Sequence, residues 1–370
     1  KETPGVMLAN YLLILMLTSI FFLAKRKYMV YFISFVVILG VSITTFFLMK
    51  VRGTPLTFSD LYSIGEAMEI ADKYINPTII IIGIVCIAFL VVFCVFLYKL
   101  DGDTKRFKLI NFVLVFVVSA VFFTTVKSQQ AKNIMVYKRW DIPASYKCNG
   151  LTYSTVESCL KYIRTKPNDY SQSKIAKIKE KVDKAEANDN RKLNKNKPNV
   201  LFVQLEAFMD PETIKGVKYS EDPIPNFRKL TKLYTSGMAN VPTTGGGTVR
   251  TEFEVMTGNN IDYLTPGEIP YSTILKSKYY NSVATTLSSQ GYETHAVHNF
   301  QGNFYGRNNA YGKLGFGDFT SQEYMSGYEL NERNWIKDKI LTKYIKKALD
   351  STEGSDLVYT VTVQGHSSYP

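Results

Sequence analysis

Cysteine and histidine are scarce in this chain, with four and three among 370 residues. Cys86 and Cys94 lie in one apolar stretch, and Cys148 and Cys159 follow in a polar region. Their spacing matches no zinc or redox motif, which argues against a cysteine-bound metal cluster. A disulfide between Cys148 and Cys159 stays an open alternative, because it depends on the compartment in which that region lies.

Charge is almost absent from four stretches in the first third of the chain, residues 6–24, 29–49, 78–98 and 107–126. Each is close to the roughly 20 residues that cross a bilayer as a helix. We interpret them as membrane helices rather than as the core of a soluble domain.

The basic residues between these stretches predict their orientation, because short loops rich in Lys and Arg stay in the cytoplasm. Residues 25–27 and 99–108 carry such clusters, which places residues 50–76 and everything after residue 126 outside. The N-terminus then also lies outside. Since the sequence starts with Lys1 rather than Met, we expect a fifth helix to be missing from its start.

Basic charge is concentrated in residues 127–198, which hold 17 basic and 7 acidic side chains. This connector would attract anionic lipid headgroups by roughly 1 kcal/mol per charge near the surface. A solvated helix face is the alternative for residues 174–184, and nucleic acid is not an expected partner. We divide the chain into a membrane domain (1–126), a juxtamembrane connector (127–198) and an extracytoplasmic domain (199–370).

Predicted strands and helices alternate in the last region, which is typical of an α/β domain with a largely parallel sheet. An apolar run that ends at Glu206 predicts a central strand. The other predicted strands are residues 292–297 and 356–363. The predicted helices are residues 225–234, 249–256, 272–290 and 332–350.

Three polar residues fall at or just beyond the ends of these strands: Glu206, His298 and His366. Ligands of open α/β sheets bind outside the carboxyl ends of the strands, so these side chains are candidates for one site. Thr248 follows the glycines 245–247 and starts a helix. A helix start favours a phosphate, and a hydroxyl there could act as a nucleophile.

Each candidate also has an ordinary structural interpretation. Glu206 could face solvent beyond its strand, and Thr248 could cap its helix. His298 could be structural, as His295 inside the strand is expected to be. Arg307 lies in a glycine-flanked loop, which suits a phosphate clamp or an ordinary surface position.

Five segments taken together carry a family resemblance. They are Arg52-Gly-Thr-Pro-Leu-Thr-Phe-Ser-Asp60, Val203-Gln-Leu-Glu206-Ala-Phe, Gly245-Gly-Gly-Thr-Val-Arg-Thr-Glu-Phe253, residues 298–307 and Gln364-Gly-His366. Over nearly its whole length the chain resembles the lipoteichoic acid synthase family of phosphoglycerol transferases, in the alkaline phosphatase and sulfatase superfamily. The resemblance implies a multi-pass α-helical membrane region followed by an α/β sulfatase-like domain with a largely parallel central sheet.

The resemblance also implies a nucleophile and a metal. Thr248 matches the family's nucleophilic threonine. Glu206 matches a carboxylate that binds the catalytic manganese, with Thr248 as a further ligand and magnesium as the alternative ion. The family's other ligands, an Asp-His pair, would lie after Pro370. We therefore expect these 370 residues to be a truncated form that binds metal poorly.

A headgroup pocket is implied in the same way. His366 matches a histidine that contacts the substrate phosphate, and Arg307 matches an arginine of the pocket. His298 matches a second histidine, and Tyr305 stands where the family often has tryptophan. Residues 299–300 are Asn-Phe where the family can carry Gly-Asp, which departs from its pattern.

The implied reaction moves glycerophosphate from phosphatidylglycerol, through a threonine-linked intermediate, to a polyglycerolphosphate or glycan acceptor outside the cell membrane. A phosphoethanolamine transferase is the nearest alternative, although its nucleophile segment differs. A sulfatase is disfavoured because the chain has no Cys-x-Pro-x-Arg motif. A catalytically silent membrane protein that binds lipid or polymer is a further alternative. The oligomeric state is left open.

Overall fold

The computed structural model describes residues 3–19, 26–69, 77–100, 109–138, 141–163, 166, 169–187, 196–241 and 246–366. The chain divides into two compact units. The first comprises Lys1–Thr165, Thr244–Gly246 and Asp262–Glu268. The second comprises Lys166–Thr243, Gly247–Ile261 and Ile269–Pro370.

The first unit is helical. Its helices are α1 (Pro4–Ser19), α2 (Lys27–Arg52), α3 (Ile64–Glu69), α4 (Pro77–Leu100), α5 (Leu109–Ala131), α6 (Ile142–Asn149) and α7 (Leu151–Lys161). Three segments have the length and composition to cross a membrane: Lys27–Lys50, Ile80–Leu100 and Leu109–Ala131. They correspond to three of the four predicted spans. The first predicted span is described only as far as Ser19, because residues 20–25 lie outside the described residues.

Hydrogen bonds connect the short helices α6 and α7 to α1. Asn10 Nδ2 donates to Asn149 O at 2.7 Å, and Asn10 Oδ1 accepts the Tyr153 N–H at 3.0 Å. Gly150, between α6 and α7, has a φ of 83°, and a Cβ there would clash with the Asn10 side chain. Glycine is therefore required at this corner.

All four cysteines are free thiols. Cys148 on α6 is exposed and Cys159 on α7 is partly buried, so the disulfide alternative is not formed in this structure. Cys86 and Cys94 lie along α4, one of the candidate spans.

The second unit contains a parallel sheet whose described strands are β1 (Val200–Gln204), β2 (Glu293–His298), β3 (Asp318–Thr320) and β4 (Asp356–Val361). Their order is β1-β4-β2-β3, and every pairing is parallel, as predicted. The helices are α8 (Gln172–Ala187), α9 (Pro225–Leu233), α10 (Val249–Thr257), α11 (Val283–Ser288), α12 (Arg307–Lys313) and α13 (Lys339–Leu349).

The register of the sheet brings the carboxyl ends of three strands to one edge. Gln204 of β1 and His298 of β2 both pair with Val361 of β4. The segments that continue past these residues leave the sheet on the same side. This is the arrangement that a site at the strand ends requires.

The apolar core lies on both faces of β4, which is buried along its whole length. One face packs against Ile340, Leu341 and Tyr344 of α13. The other packs against a cluster that includes Val249 and Phe253 of α10. Burying each large apolar side chain contributes roughly 1.5–3 kcal/mol, so α10 is held firmly on the sheet.

The position of β1 differs from the prediction of a central strand. Within the described residues it is an edge strand. Leu201 and Val203 on one of its faces are about half exposed, at 50% and 51%. An apolar run indicates a strand, but it does not tell whether both faces are covered.

Two predicted helices are shorter in the structure. Residues 272–290 contain only α11, whose first turn is capped by Ser282. Residues 332–350 contain only α13, because an antiparallel bridge between Leu330 and Ile336 precedes it. The short elements β3 and α12 were not predicted.

Candidate active site

Glu206 lies two residues beyond β1, where the chain turns away from the sheet. Its N–H donates to Thr362 Oγ1 at 2.9 Å, on the continuation of β4. Ala207 follows with a φ of 53°, a left-handed conformation that costs a residue with a Cβ roughly 1–2 kcal/mol. Backbone strain of this kind clusters at functional sites, where surrounding contacts hold it.

Gly365 lets the loop after β4 approach this turn. A Cβ at position 365 would lie 2.8 Å from Glu206 O, closer than real Cβ atoms come to other atoms. His366 follows directly, and its N–H donates to Val363 O at 2.9 Å. His366 is near enough to act on the pKa of Glu206. The structure thus brings these two predicted site residues together.

Thr248 does not cap α10, so the ordinary interpretation of this residue is wrong. Its backbone is already helical, with φ −46° and ψ −37°, and its side chain makes no capping bond. Instead its hydroxyl donates to Glu206 Oε1. Gly246 and Gly247 precede it with φ of 125° and 81°, conformations that favour glycine. This turn brings the hydroxyl to the edge of the sheet.

Arg307 is 1% exposed and begins α12, which excludes an ordinary surface arginine. Its Nη2 donates to Glu252 Oε1 at 2.5 Å, and its Nε donates to Oε2 at 3.3 Å. Tyr311 donates its hydroxyl to the same carboxylate at 2.9 Å. Glu252 lies one helical turn after Thr248, so this buried pair joins α10 to α12.

Electrostatics couple Arg307 to the strand-end residues. Burial raises the pKa of Glu206, and Arg307, the Thr248 hydroxyl and His366 all act in the opposite direction. Burial opposes the charge of Arg307, but Glu252 raises the pKa of the guanidinium well above its ordinary value. Arg307 is therefore a fixed positive charge near Glu206 and Thr248.

His298 is buried at the end of β2. Its Nδ1 lies 2.9 Å from Val361 O, and because a carbonyl only accepts, Nδ1 carries the hydrogen. Burial lowers the pKa of His298 well below its ordinary value, and the charge of Arg307 acts in the same direction. The ring is therefore neutral, and its Nε2 is a hydrogen-bond acceptor.

An aromatic cluster adjoins both strand-end histidines. His366 packs on Trp335, with ring centroids 4.4 Å apart. Phe300 packs against Trp335 and Phe304, each at 5.2 Å, and its ring centroid lies 6.3 Å from that of His298. At position 300, where the resemblance implies an acidic residue, this chain has the phenylalanine of a buried aromatic cluster.

Asp338 connects the two strand-end loops. Its Oδ1 accepts the N–H groups of Val363 and Gln364, each at 3.1 Å, and the Nδ2 of Asn299 at 2.9 Å. Asn299 follows the last residue of β2, and Gln364 lies in the loop of His366. No sequence signal identified Asp338, since an acidic residue before a helix predicts a cap that its side chain does not make.

Tyr305 lies in the 3₁₀ turn Phe304–Gly306 with a φ of 58°. Its ring centroid lies 5.5 Å from the central guanidinium carbon of Arg307. Burial raises the pKa of its hydroxyl, while Arg307 and the backbone of Gly247 lower it. Tyr305 therefore lies beside the glycine turn that precedes Thr248.

Glu206 and Thr248 offer two oxygen donors to a cation. Manganese and magnesium both accept carboxylate and other oxygen ligands, so the donor chemistry fits. Near-octahedral coordination needs more ligands than these two. Among the described residues, no group of three His, Cys, Asp or Glu side chains is arranged to hold a metal ion. A cation bound by Glu206 and Thr248 would therefore need further ligands.

Residues 198–370, which contain all four strands and every candidate site residue, match the family model described as Sulfatase. This domain belongs to the sulfatase family. The match confirms the superfamily that the motifs indicated. It also confirms the fold class, in which apolar helices precede a sulfatase-family domain with a parallel central sheet.

This chain covers only part of the length of each similar protein described here. A curated relative, the "Putative cyclic beta-1,2-glucan modification protein" of Rhizobium meliloti (strain 1021), is 31% identical over 230 residues, 62% of this chain. The chain spans about a third (34%) of that relative's length.

Two solved structures are also similar. The Streptococcus pyogenes phosphoglycerol transferase GacH, in complex with sn-glycerol-1-phosphate, is 26% identical with a TM-score of 0.48, over 56% of this chain and 55% of that one. The lipoteichoic acid synthase LtaP from Listeria monocytogenes is 19% identical with a TM-score of 0.37, over 46% of this chain and 41% of that one.

Proposed function

We propose that this chain is a phosphoglycerol transferase that takes glycerophosphate from phosphatidylglycerol at the outer face of the cell membrane. One observation carries the proposal: the Thr248 hydroxyl donates to the Glu206 carboxylate at the carboxyl edge of the sheet. A threonine that caps nothing and meets a carboxylate in a sulfatase-family domain is suited to nucleophilic attack. The candidate spans would keep the site close to its lipid donor.

The proposed reaction has two steps. In the first, Thr248 Oγ1 loses its proton and bonds to the phosphorus of phosphatidylglycerol. The bond from phosphorus to the diacylglycerol oxygen breaks, and that oxygen takes up a proton. In the second step, an acceptor hydroxyl loses its proton and bonds to the same phosphorus. Thr248 Oγ1 then leaves and regains a proton.

The residues of the site have distinct roles in this proposal. Glu206 orients Thr248 Oγ1 by accepting its hydrogen bond. Arg307 stabilises the negative charge that develops on the phosphoryl oxygens, and His366 binds one of these oxygens. Neutral His298 accepts a hydrogen bond from a glycerol hydroxyl through Nε2.

Glu206 and Thr248 would hold a divalent cation, manganese or alternatively magnesium, together with ligands from outside the described residues. Such a cation, when bound, would lower the pKa of the Thr248 hydroxyl. Removal of divalent ions with a chelator should therefore stop turnover, and manganese should restore it.

The acceptor is a glycan or a polyglycerolphosphate chain. The printed name of the Rhizobium relative concerns a cyclic glucan, which supports a glycan hydroxyl.

The test is diacylglycerol release from fluorescent phosphatidylglycerol in liposomes with manganese, using the full-length protein. We expect Thr248→Ala to abolish release. Thr257→Ala, at the other end of α10, is the matched control and should retain it. Release from phosphatidylethanolamine instead would favour the phosphoethanolamine alternative. No release from either lipid by the unaltered protein would contradict the proposal.

A further inference from the structure

A cavity of about 570 Å³ lies in the first unit, between the last turns of α2 and the helices α6 and α7. Its volume is in the range of sites for small organic ligands. The lining on α2 runs from Ser42 to Met49, within the candidate span Lys27–Lys50. The cavity therefore lies at the depth where a membrane span meets the polar layer of the bilayer.

The walls of this cavity are mainly apolar. Phe46 and Met49 of α2 line it and are 63% and 40% exposed. Pro143 and Ala144 of α6 line the opposite side. Apolar side chains that are open at this depth suit a hydrocarbon chain.

One polar group inside the cavity lacks a partner. Thr45 is 7% exposed and lines the cavity. Its Oγ1 has no hydrogen-bond partner among the described residues. A buried hydroxyl without a hydrogen bond is unfavourable. An ester or glycerol oxygen of a lipid would satisfy it.

Two lysines lie beside the cavity. Lys147 of α6 lines the cavity and is exposed. Lys50 Nζ lies 4.7 Å from the centroid of the Phe46 ring. Asp141 also lines the cavity, but its carboxylate accepts the Ala144 N–H at 2.9 Å and caps α6. The lysines favour an anionic group at this position.

We propose that this cavity binds an anionic glycerophospholipid from the membrane. Its acyl chain packs on Phe46 and Met49, a glycerol or ester oxygen meets the Thr45 hydroxyl, and its phosphate pairs with Lys147. The site is a binding site separate from the reaction of Thr248, so it holds whether or not the proposed transfer is correct.

Photo-cross-linking in lipid nanodiscs tests the proposal. The full-length protein is placed in phosphatidylcholine that contains a small fraction of phosphatidylglycerol with a diazirine on its acyl chain, and labelled peptides are mapped by mass spectrometry. We expect labelling to concentrate in residues 42–49 and 141–151. Ala144→Trp, which fills the cavity, should reduce this labelling at least fivefold, and Thr248→Ala should leave it unchanged.

The role of Lys147 is tested by a substitution that removes its charge and leaves the fold intact. Lys147→Gln should reduce labelling by phosphatidylglycerol about fivefold, the factor expected for one lysine near a lipid surface. Labelling by a diazirine phosphatidylcholine should change little. Lys127→Gln, on an exposed part of α5, is the control and should have no effect.

Other outcomes would overturn the proposal. Labelling spread evenly over the lipid-facing sides of α2, α4 and α5, and unchanged by Ala144→Trp and Lys147→Gln, would mean ordinary bilayer contact. Equal labelling by both lipids in all variants would exclude an anionic ligand. Labelling of other parts of the protein with none in residues 42–49 and 141–151 would exclude a lipid from the cavity.

Discussion

Glu252, one helical turn after Thr248, and Arg307 are buried ionic side chains that pair with each other. A buried charge is tolerated only when it is paired and hydrogen-bonded, and removal of one partner leaves the other uncompensated. Here the carboxylate accepts two bonds from Arg307 and one from Tyr311. The pair therefore links the helix that starts at Thr248 to the loop that carries Tyr305.

Glu252→Gln should destabilise the domain because Arg307 would lose its counter-charge. We expect the free energy of unfolding to fall by about 3 kcal/mol, measured by denaturant unfolding in detergent. Glu212→Gln is the matched control, since Glu212 lies 3.0 Å from Arg228 in an exposed ion pair, and such pairs contribute less than about 1 kcal/mol. Equal losses for both variants would contradict the assigned role of the buried pair.

A side chain at position 365 would collide with the backbone of Glu206. Gly365→Ala should push the loop of His366 away from the turn after β1, because the new Cβ would lie 2.8 Å from Glu206 O. We expect diacylglycerol release to fall at least tenfold, while the fold is kept. Gly354→Ala, where a Cβ would meet nothing within 4 Å, should leave release unchanged. Unimpaired release in Gly365→Ala would separate this loop from the reaction.

At the scale of elements, His295 joins three strands at the end of the sheet opposite the candidate site. Its Nδ1 lies 2.6 Å from Asp318 Oδ2 at the start of β3, and its Nε2 lies 3.2 Å from Asp356 Oδ1 at the start of β4. Thr352 donates to the same Asp356 oxygen at 2.5 Å. The hydrogen bond to Asp318 raises the pKa of His295, and Asp356 adds to this against the effect of burial.

This contact gives a pH dependence whose sign follows from the raised pKa. The folded state holds the His295 proton more tightly than the unfolded chain, where the pKa is about 6.5. The stabilisation is therefore complete below that value and is lost as pH rises through the folded pKa. We expect the apparent Tm to fall over this range, and His295→Gln to remove that part of the fall. Asp318→Asn should shift the fall of the apparent Tm to lower pH, because Asp318 raises the pKa of His295. An unchanged profile in His295→Gln would contradict this origin.

At the scale of the whole chain, long patterns were more predictable than short ones. Apolar runs near 20 residues indicated the spans, and a shorter apolar run indicated β1. Strands that correspond to β2 and β4 were also predicted. In contrast, β3 has three residues and α12 has seven, which is too short for a hydrophobic period to be recognised. The contact between Glu252 and Arg307 joins positions 55 residues apart, which no local pattern reveals.

Residues of the candidate site could be proposed from the sequence, but their contacts could not. Strand ends indicated Glu206, His298 and His366, and the resemblance singled out Thr248. The residues alone favoured a helix cap for Thr248, because Thr is common at that position. Only the tertiary structure shows that its hydroxyl meets Glu206 instead. Asp338, which holds two loops of the site, had no distinctive sequence context.

The orientation of the chain decides whether the proposed donor is accessible, because an outward domain meets the lipids of the outer leaflet. Cys148 on α6 is exposed, so a membrane-impermeant maleimide should label it in intact cells, and Cys148→Ser should remove the label. Lys99→Cys, at a predicted cytoplasmic end of α4, is the control and should react only after permeabilisation. Labelling of Cys148 only after permeabilisation would place the connector inside, and transfer from outer-leaflet phosphatidylglycerol would then be impossible for this chain.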